Sequence, residues 1–443
     1  CLSALPPQTV DSGSFTNKIA YGGPTFQFGS LSTEIRAIVD LPETERTVKQ
    51  RKKLARYFRG WAPELASLRQ RLSQLRKQRS GIAAPETPVL RELPGEQRRQ
   101  THVHVRGDYR VPGAVVEPAV PDLFVSGNMP VVKDRLSLAR WLVDPGNPLV
   151  ARVQCNAVWK NLLGEGIVRT MDDFGTRGER PTHPRLLDYL AARLRDGGWS
   201  RKRLIREVVL SGTYRQSSLY RPEFVDVDPT NRLWHRQGRF RVEAEIVRDL
   251  YLAASGLLTR KIGGASVFPP LPPGIAQLNY DRGFTWETSQ GSDRYRRGMY
   301  TFFKRTAPHP NLMTLDSPES NVVCLARNRS DTPLGALVTL NNEVYVEASQ
   351  ALARRAILLS AVDDQDRLVL AWRLCVPRHP TAGELRRLHS LLTRSRQWYR
   401  DRSQDARQRV GVYGVTGCAD WEVAAWIAVA RVILNLDEVT TRD

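Results

Sequence analysis

Helix start and stop signals are the sequence feature that most constrains this fold, and they are most complete over residues 184–196. Proline stands at position 184, helix-forming residues follow, and Gly197-Gly198 ends the segment. Proline is favoured in the first helical turn and glycine directly after the last one. Similar boundaries frame apolar residues at helical spacing from residue 134 onwards. The chain is therefore predicted to be mainly α.

The predicted fold is a multi-helix globular body with a few short strands and long Gly/Pro-rich loops, preceded by a helical hairpin. In that hairpin, Leu65, Leu68, Leu72 and Leu75 form one apolar stripe on the second helix. Residues 296–303, with Met299-Tyr-Thr-Phe-Phe, favour a short strand. In the body, helices are predicted over 134–143, 150–163, 184–196, 202–210, 241–255, 332–359, 364–374, 381–402 and 419–436.

Changes in composition along the chain predict four segments. They are an irregular lead-in over 1–30, the helical hairpin over 31–80, a linker with a short strand-like segment over 81–133, and the main helical domain over 134–443. The 443 residues are 41% hydrophobic, which is enough to bury a large core. No stretch approaches the uncharged apolar length of a membrane span, so we predict none.

The net charge of +20 is carried by arginine rather than lysine, in a ratio of 56 to 10. A guanidinium group binds carboxylate, sulfate and phosphate through two-point contacts, and a strongly positive surface attracts anionic partners. The arginines are spread along the chain without forming a block. We therefore expect a polyanion such as an anionic polysaccharide as partner, and the sequence does not favour specific nucleic-acid binding.

The five cysteines are far apart in the sequence and include no Cys-x-x-Cys pair. This spacing excludes a c-type haem attachment motif and a zinc ribbon. His102 and His104 would share one face of a strand, but no third ligand follows at a diagnostic spacing. We therefore predict no cofactor and no metal site in this chain.

Several ordered segments carry a family resemblance. They include Asp228-Pro-Thr-Asn-Arg-Leu and Gly263-Gly-Ala-Ser-Val-Phe-Pro-Pro. Others lie at 135–149, 166–175, 181–188, 198–200, 211–218, 241–249 and 305–342. Together they resemble the large domain of unknown function that is abundant in planctomycetes and often accompanies a planctomycete cytochrome c domain in exported chains. The resemblance implies a periplasmic or cell-surface location. It also implies a c-type cytochrome domain or a secreted hydrolase as partner, with haem only on a partner or a missing domain.

The chain departs from the family pattern at five positions. These are Ala157 in place of arginine, Leu163 in place of an aromatic residue, Gly335 in place of glutamine, Asn342 in place of aspartate and Val439 in place of phenylalanine. If position 157 carries a functional arginine in the family, this chain is weakened or specialised in that function.

Candidate catalytic residues are Asp172, Asp173 and His183. Adjacent carboxylates can act as general acid and base, and an imidazole can move a proton. The structural alternatives are equally simple, since an Asp-Asp-Phe-Gly segment can cap a turn and His183 can begin the helix at Pro184. Together with Arg329, these residues would form the centre of a hydrolase.

Candidate ligand-binding residues cluster before a helix that begins at Thr332-Pro333. They are Arg327, Asn328 and Arg329, joined by Asn341 and by Arg215. Arginines beside a helix start can together hold an oxyanion. They can instead bond to loop carbonyls and to Asp316.

A second charged cluster is predicted on the helix over 241–255. Arg241 is placed to reach Glu245 within this helix, in a structural ion-pair network with Glu243, Arg248 and Asp249.

Two functions follow from these residues. The leading prediction is an extracytoplasmic binding or scaffold component that engages anionic polysaccharide through arginines. The alternative is a hydrolase acting on sulfated or acidic glycans, with or without a metal ion. Nothing in the sequence decides whether the chain is an enzyme.

Overall fold

The computed structural model describes residues 32–82, 88–124, 132–272, 274–275, 284–359 and 363–442. The chain divides into two compact units, with the boundary in the sequence between Gln97 and Arg98. Helix accounts for 54% of the described residues and strand for only 4%, which confirms the mainly α fold. The lead-in predicted over 1–30 lies outside the described residues, and the boundaries at 80 and 133 stay predictions.

The first unit contains three helices among its described residues: α1 (Thr33–Val39), α2 (Val48–Trp61) and α3 (Ala66–Ser80). Thr47 begins α2 with a reciprocal capping box to Gln50. The Arg69 guanidinium of α3 donates to the carbonyl of Ala62 at 2.8 Å, which ties the start of α3 to the end of α2. The leucine stripe of α3 is exposed at residues 68, 72 and 75.

The second unit begins with an antiparallel ribbon of β1 (Thr101–His104) and β2 (Pro112–Val116). Its helices are α4 (Arg135–Leu142), α5 (Val150–Leu163), α6 (Pro184–Asp196), α7 (Arg201–Val209), α8 (Ala244–Ser255), α9 (Pro310–Thr314), α10 (Pro333–Asn341), α11 (Glu343–Leu359), α12 (Asp364–Cys375), α13 (Ala382–Arg400), α14 (Ser403–Val410), α15 (Asp420–Leu434) and α16 (Asp437–Thr440). No helix among these described residues is long and apolar enough to cross a membrane.

Two hydrophobic cores hold the second unit together. The first is formed by α5, α6 and α7 with Trp234 from the loop before α8. The second is formed by α8 and by α11 to α15, and it buries Trp372 and Trp426 completely. Each fully buried large apolar side chain contributes roughly 1.5–3 kcal/mol, so these cores supply most of the stability of the fold.

A two-residue pairing joins the end of the chain to the start of α8. Strand β3 (Phe240–Arg241) pairs antiparallel with β4 (Thr441–Arg442), and Phe240 lies opposite Arg442. Val242 continues the contact by donating its amide to the carbonyl of Thr440 at 2.8 Å. This pairing brings the end of the chain to the start of α8, where the candidate site lies.

Two predicted elements differ from the structure, and one helix was not predicted. The helix predicted over 332–359 is two helices, because Asn342 adopts an extended backbone and its Oδ1 accepts from the amide of Val344. The strand predicted over 296–303 is interrupted by a tight helical turn over Gly298–Tyr300, since Gly298 packs directly on the backbone of Glu245. On either side of this turn, Arg296 and Thr301 each form an isolated β-bridge. Helix α14 lies between residues 402 and 419, where no element was predicted.

Candidate anion-binding site

Arg241 anchors the site below the start of α8. It lies in β3 rather than in the helix, so the predicted pair with Glu245 is wrong. Its buried guanidinium pairs instead with Asp316 and also donates to the carbonyls of Leu315 and Ser330. Asp316 accepts in addition from the amide of Ser330 at 2.8 Å. These bonds fix the segment that precedes α10 against β3.

The remaining charges of α8 also bind neighbouring segments rather than one another. Arg248 is buried and donates to the carbonyl of Arg294 at 2.7 Å. Asp249 accepts from the amide of Gly298 at 2.6 Å, and burial raises the pKa of Asp249. Arg248 and Asp249 therefore bind backbone groups on other segments, and the predicted network within one helix is not formed.

Arg327 is held by two carboxylates at the start of α8. Its Nη1 lies 2.7 Å from Glu245 and 3.2 Å from Glu243. Partial burial alone would lower the pKa of Arg327, but the bond to Glu245 and the fields of both carboxylates raise it. A guanidinium with two carboxylate partners has little need of a further anion, so Arg327 serves to position its own loop.

Arg329, two residues later, lies on an aromatic ring instead. Its guanidinium carbon is 4.3 Å from the centroid of Phe240. Burial lowers the pKa of Arg329, the charges of Glu243 and Glu165 oppose this effect, and Arg241 adds a smaller lowering. Arg329 forms no ion pair with any of the side chains that the structure describes.

Arg442 brings a second guanidinium to the same ring from the end of the chain. Its guanidinium carbon lies 5.8 Å from the centroid of Phe240 and 4.8 Å from that of Tyr214. Burial lowers the pKa of Arg442, and no carboxylate among the described residues offsets this. Two partly buried cations therefore lie beside one aromatic ring without forming an ion pair. We call Arg329, Arg442, Phe240 and Tyr214 the Phe240 site.

Glycine residues make the position of Phe240 attainable. Gly164 ends α5 with a positive φ of 94°, and a Cβ added there would lie 2.8 Å from the Phe240 ring. A Cβ at Gly238 would lie 2.3 Å from the carbonyl oxygen of Leu163. The chain before β3 can therefore pass close to the end of α5 only with glycine at both positions.

The other predicted ligand-binding residues lie around this site or away from it. Arg215 is exposed and adjoins Tyr214 in the sequence, and Asn328 is exposed between the two arginines of its loop. Asn341 is exposed at the end of α10, where its side-chain amide donates to the carbonyl of Leu337 at 3.0 Å. Arg215 and Asn328 thus stay candidates for the rim of the site.

The candidate catalytic residues lie in the connection between α5 and α6. Asp172 is exposed, and Asp173 Oδ1 accepts from the amide of Gly175 at 2.7 Å. His183 has its Nδ1 3.1 Å from the hydroxyl of Thr182, and its ring centroid is 5.0 Å from that of Trp234. These contacts are those of a turn and of a helix start.

No arrangement for catalysis is evident in the part of the chain that the structure describes. Its hydrogen bonds do not join any two of Asp173, His183 and Arg329. Among the same residues, no group of three or more His, Cys, Asp or Glu side chains is placed to hold a metal ion. The hydrolase interpretation therefore stays a prediction.

Sequence reasoning found Arg329 and Tyr214 but missed Phe240 and Arg442. Tyr214 was indicated because it stands beside Arg215 at a predicted helix end that offers donors to the same site. Phe240 and Arg442 are about 200 positions apart, and each lies in a strand of only two residues. Such strands have no detectable period in a sequence.

The fold and the site define a mainly α-helical protein with a cationic, aromatic-lined cluster of side chains. The family model described as "PSD1: Protein of unknown function (DUF1553)" matches residues 134–392, which is more than half of the chain. The chain therefore belongs to this family, and the predicted membership of a domain family of unknown function is confirmed. No curated protein matches the chain, and neither does any solved structure.

Proposed function

We propose that this protein is a binding component that recognises an acidic group of an anionic polysaccharide at the Phe240 site. The observation that carries the proposal is the shared position of Arg329 and Arg442 beside one aromatic ring, partly buried and without an ion pair among the described side chains. The net charge of +20 adds a long-range attraction for such a ligand.

The energetic argument starts from desolvation. Removing a charged guanidinium from water is costly unless a counter-charge or hydrogen bonds replace the lost hydration. For both arginines the cost is visible as a lowered pKa that is caused first by burial. A carboxylate or sulfate at the site would supply the missing counter-charge, through the two-point contacts that guanidinium groups favour.

The aromatic members of the site favour a sugar over an inorganic ion. Phe240 and Tyr214 present ring faces or edges beside the two cations. A uronate or a sulfated sugar combines an anionic group with an apolar ring face, and it can use both kinds of surface. Two further expectations stay predictions that rest on the family resemblance. They are an exported location and a c-type cytochrome or a secreted hydrolase as partner.

Calorimetric titration with glucuronate and with sulfate at constant ionic strength tests the proposal. The variants are Arg329→Gln and Arg442→Gln. Arg402→Gln is the matched control, because Arg402 also lies over an aromatic ring, 3.5 Å from the Trp398 centroid, but is exposed. Each site variant is expected to weaken binding about tenfold or more, since charge-assisted hydrogen bonds contribute about 1.5–3 kcal/mol.

The control variant should bind within about twofold of the natural chain, which is less than about 0.5 kcal/mol. Equal weakening by Arg402→Gln would show that total charge rather than the Phe240 site governs binding. Unchanged binding in both site variants, with the fold intact by circular dichroism, would overturn the proposal.

A further inference from the structure

Helix α13 carries a row of exposed cations on one face. Arg386, Ser390 and Arg394 follow one another at intervals of four residues, so they share that face. Together with Arg387 and Gly383 they line a shallow groove of about 320 Å³. At 1.5 Å per residue, Arg386 and Arg394 are separated by about 12 Å along the helix axis.

The cations of this groove lack counter-charges, whereas other arginines around α13 have them. Arg396 bonds to Asp364 and Glu422. In the described residues, by contrast, the guanidinium groups of Arg386, Arg387 and Arg394 have no ion pair and no hydrogen bond. The carboxylates near α13 thus pair with arginines on its packed side, and the exposed side carries a net positive charge.

The groove is open at the end where Gly383 lies. A Cβ added at this position would meet only the tip of Arg386 and the hydroxyl of Thr381, both at 4.0 Å. Three like charges in one groove repel one another, and an extended polyanion laid along the helix would remove that repulsion. The groove has the shape and the charge for a chain that carries repeated acidic groups.

We infer that this face of α13 is a binding surface for a linear anionic polysaccharide. The inference takes its ligand class from the proposed function, but different residues carry it, so the two can fail separately. Nucleic acid is less well suited, because single strands are held by aromatic platforms between the cations. The groove residues are arginine, serine and glycine, and the exposed Trp398 beyond them already lies against Arg402.

Binding of dextran sulfate and of polygalacturonate, measured over a range of salt concentrations, tests the surface. The main variant is Arg386→Gln/Arg387→Gln/Arg394→Gln in the full chain. The matched control is Arg201→Gln/Lys202→Gln/Arg206→Gln on α7, which removes the same charge from exposed positions of another helix. The α13 variant is expected to weaken binding about tenfold or more. The slope of log affinity against log salt should fall by about 2, since each lost contact removes somewhat less than one unit.

A second variant tests the surface in case the triple substitution prevents folding. Ser390→Glu places a negative charge in the groove while all three arginines remain, and its i,i+4 pairs with Arg386 and Arg394 favour the helix. It is expected to weaken polymer binding to a similar extent. Both α13 variants should keep glucuronate binding at the Phe240 site, so the polymer and the monosaccharide report on the two sites separately.

Two results would overturn the inference. One is equal weakening by the α7 control, which would mean that the polymer responds only to total charge. The other is a thymidine oligonucleotide of matched charge that binds as tightly as the polysaccharides and loses as much affinity with Ser390→Glu. That result would make the surface a nucleic-acid or general polyanion site.

Discussion

Arg327 donates from Nη1 to the carboxylate of Glu245 at 2.7 Å, and this bond joins the loop before α10 to the first turn of α8. Both side chains are about a quarter exposed, at 31% and 21%, so water weakens the pair only in part. The pair explains why two arginines that are almost adjacent in sequence have different roles. Arg327 is neutralised within the protein, whereas Arg329 remains without an ion-pair partner among the described residues.

A double-mutant cycle with Arg327→Met and Glu245→Gln measures this pair. We expect a coupling free energy of about 1 kcal/mol, because the pair is partly shielded from solvent. Urea denaturation of the four proteins supplies the values. The exposed pair of Arg221 and Glu223 is the control, and its coupling should be clearly smaller because solvent screens it. Equal coupling in the two pairs would contradict the structural role assigned to Arg327.

His309 makes stability depend on pH. Its Nε2 donates to the carbonyl of Pro270 at 3.1 Å, and its Nδ1 accepts from the amide of Asn311. Burial lowers the pKa of His309 from 6.5 to about 4. The unfolded chain therefore takes up a proton near pH 6.5, and the folded chain does so only near pH 4. The free energy of unfolding should fall by roughly 3 kcal/mol across that interval.

Chemical denaturation between pH 7 and pH 4 checks this expectation. His309→Gln retains an amide donor for the carbonyl of Pro270 but does not titrate. The stability of the natural chain relative to this variant should therefore decrease as the pH falls from about 6.5 to about 4. A difference that stays constant over that range would show that His309 does not cause the dependence.

The cysteines should differ sharply in reactivity. Burial raises the pKa of Cys155 and of Cys375 to about 12, whereas Cys324 is exposed. The thiolate is the reactive form, so these two thiols should react far more slowly than Cys324 while the chain is folded. Iodoacetamide at pH 8 followed by peptide mass mapping should label Cys324 before Cys155 and Cys375. Labelling of Cys155 at the same rate, without denaturant, would contradict the assigned packing.

Many of the helix boundaries were predictable because each is set by residues close to it in the sequence. The predicted bounds of α5 and α6 agree with the structure, since Gly164 ends the first helix and proline and glycine frame the second. Thr332 likewise caps α10, accepting from the amide of Gly335 at 3.1 Å, as expected for a Thr-Pro start. Such signals act within one or two turns and survive tertiary packing.

The Phe240 site was only partly predictable because it depends on contacts between distant segments. The β3–β4 pairing brings Arg442 to Phe240, and no local signal announces a strand of two residues. The division of roles between Arg327 and Arg329 depends on where α8 begins. Its first turn was predicted three residues early, at Arg241 instead of Ala244. Because of that error, Arg241 was predicted on the helix. In the structure, Arg241 lies in β3 and pairs with the carboxylate of Asp316.

The central claim is that Arg329 and Arg442 bind an anion together at Phe240. Side-chain Nε–H resonances of arginine, followed by NMR during a sulfate titration at constant ionic strength, test it most directly. Lysine substitutions at each position assign the two signals. We predict that these two resonances shift together and saturate with one dissociation constant, while that of Arg402 does not move. Small, unsaturated shifts spread over the exposed arginines, with Arg329 and Arg442 unaffected, would contradict the account.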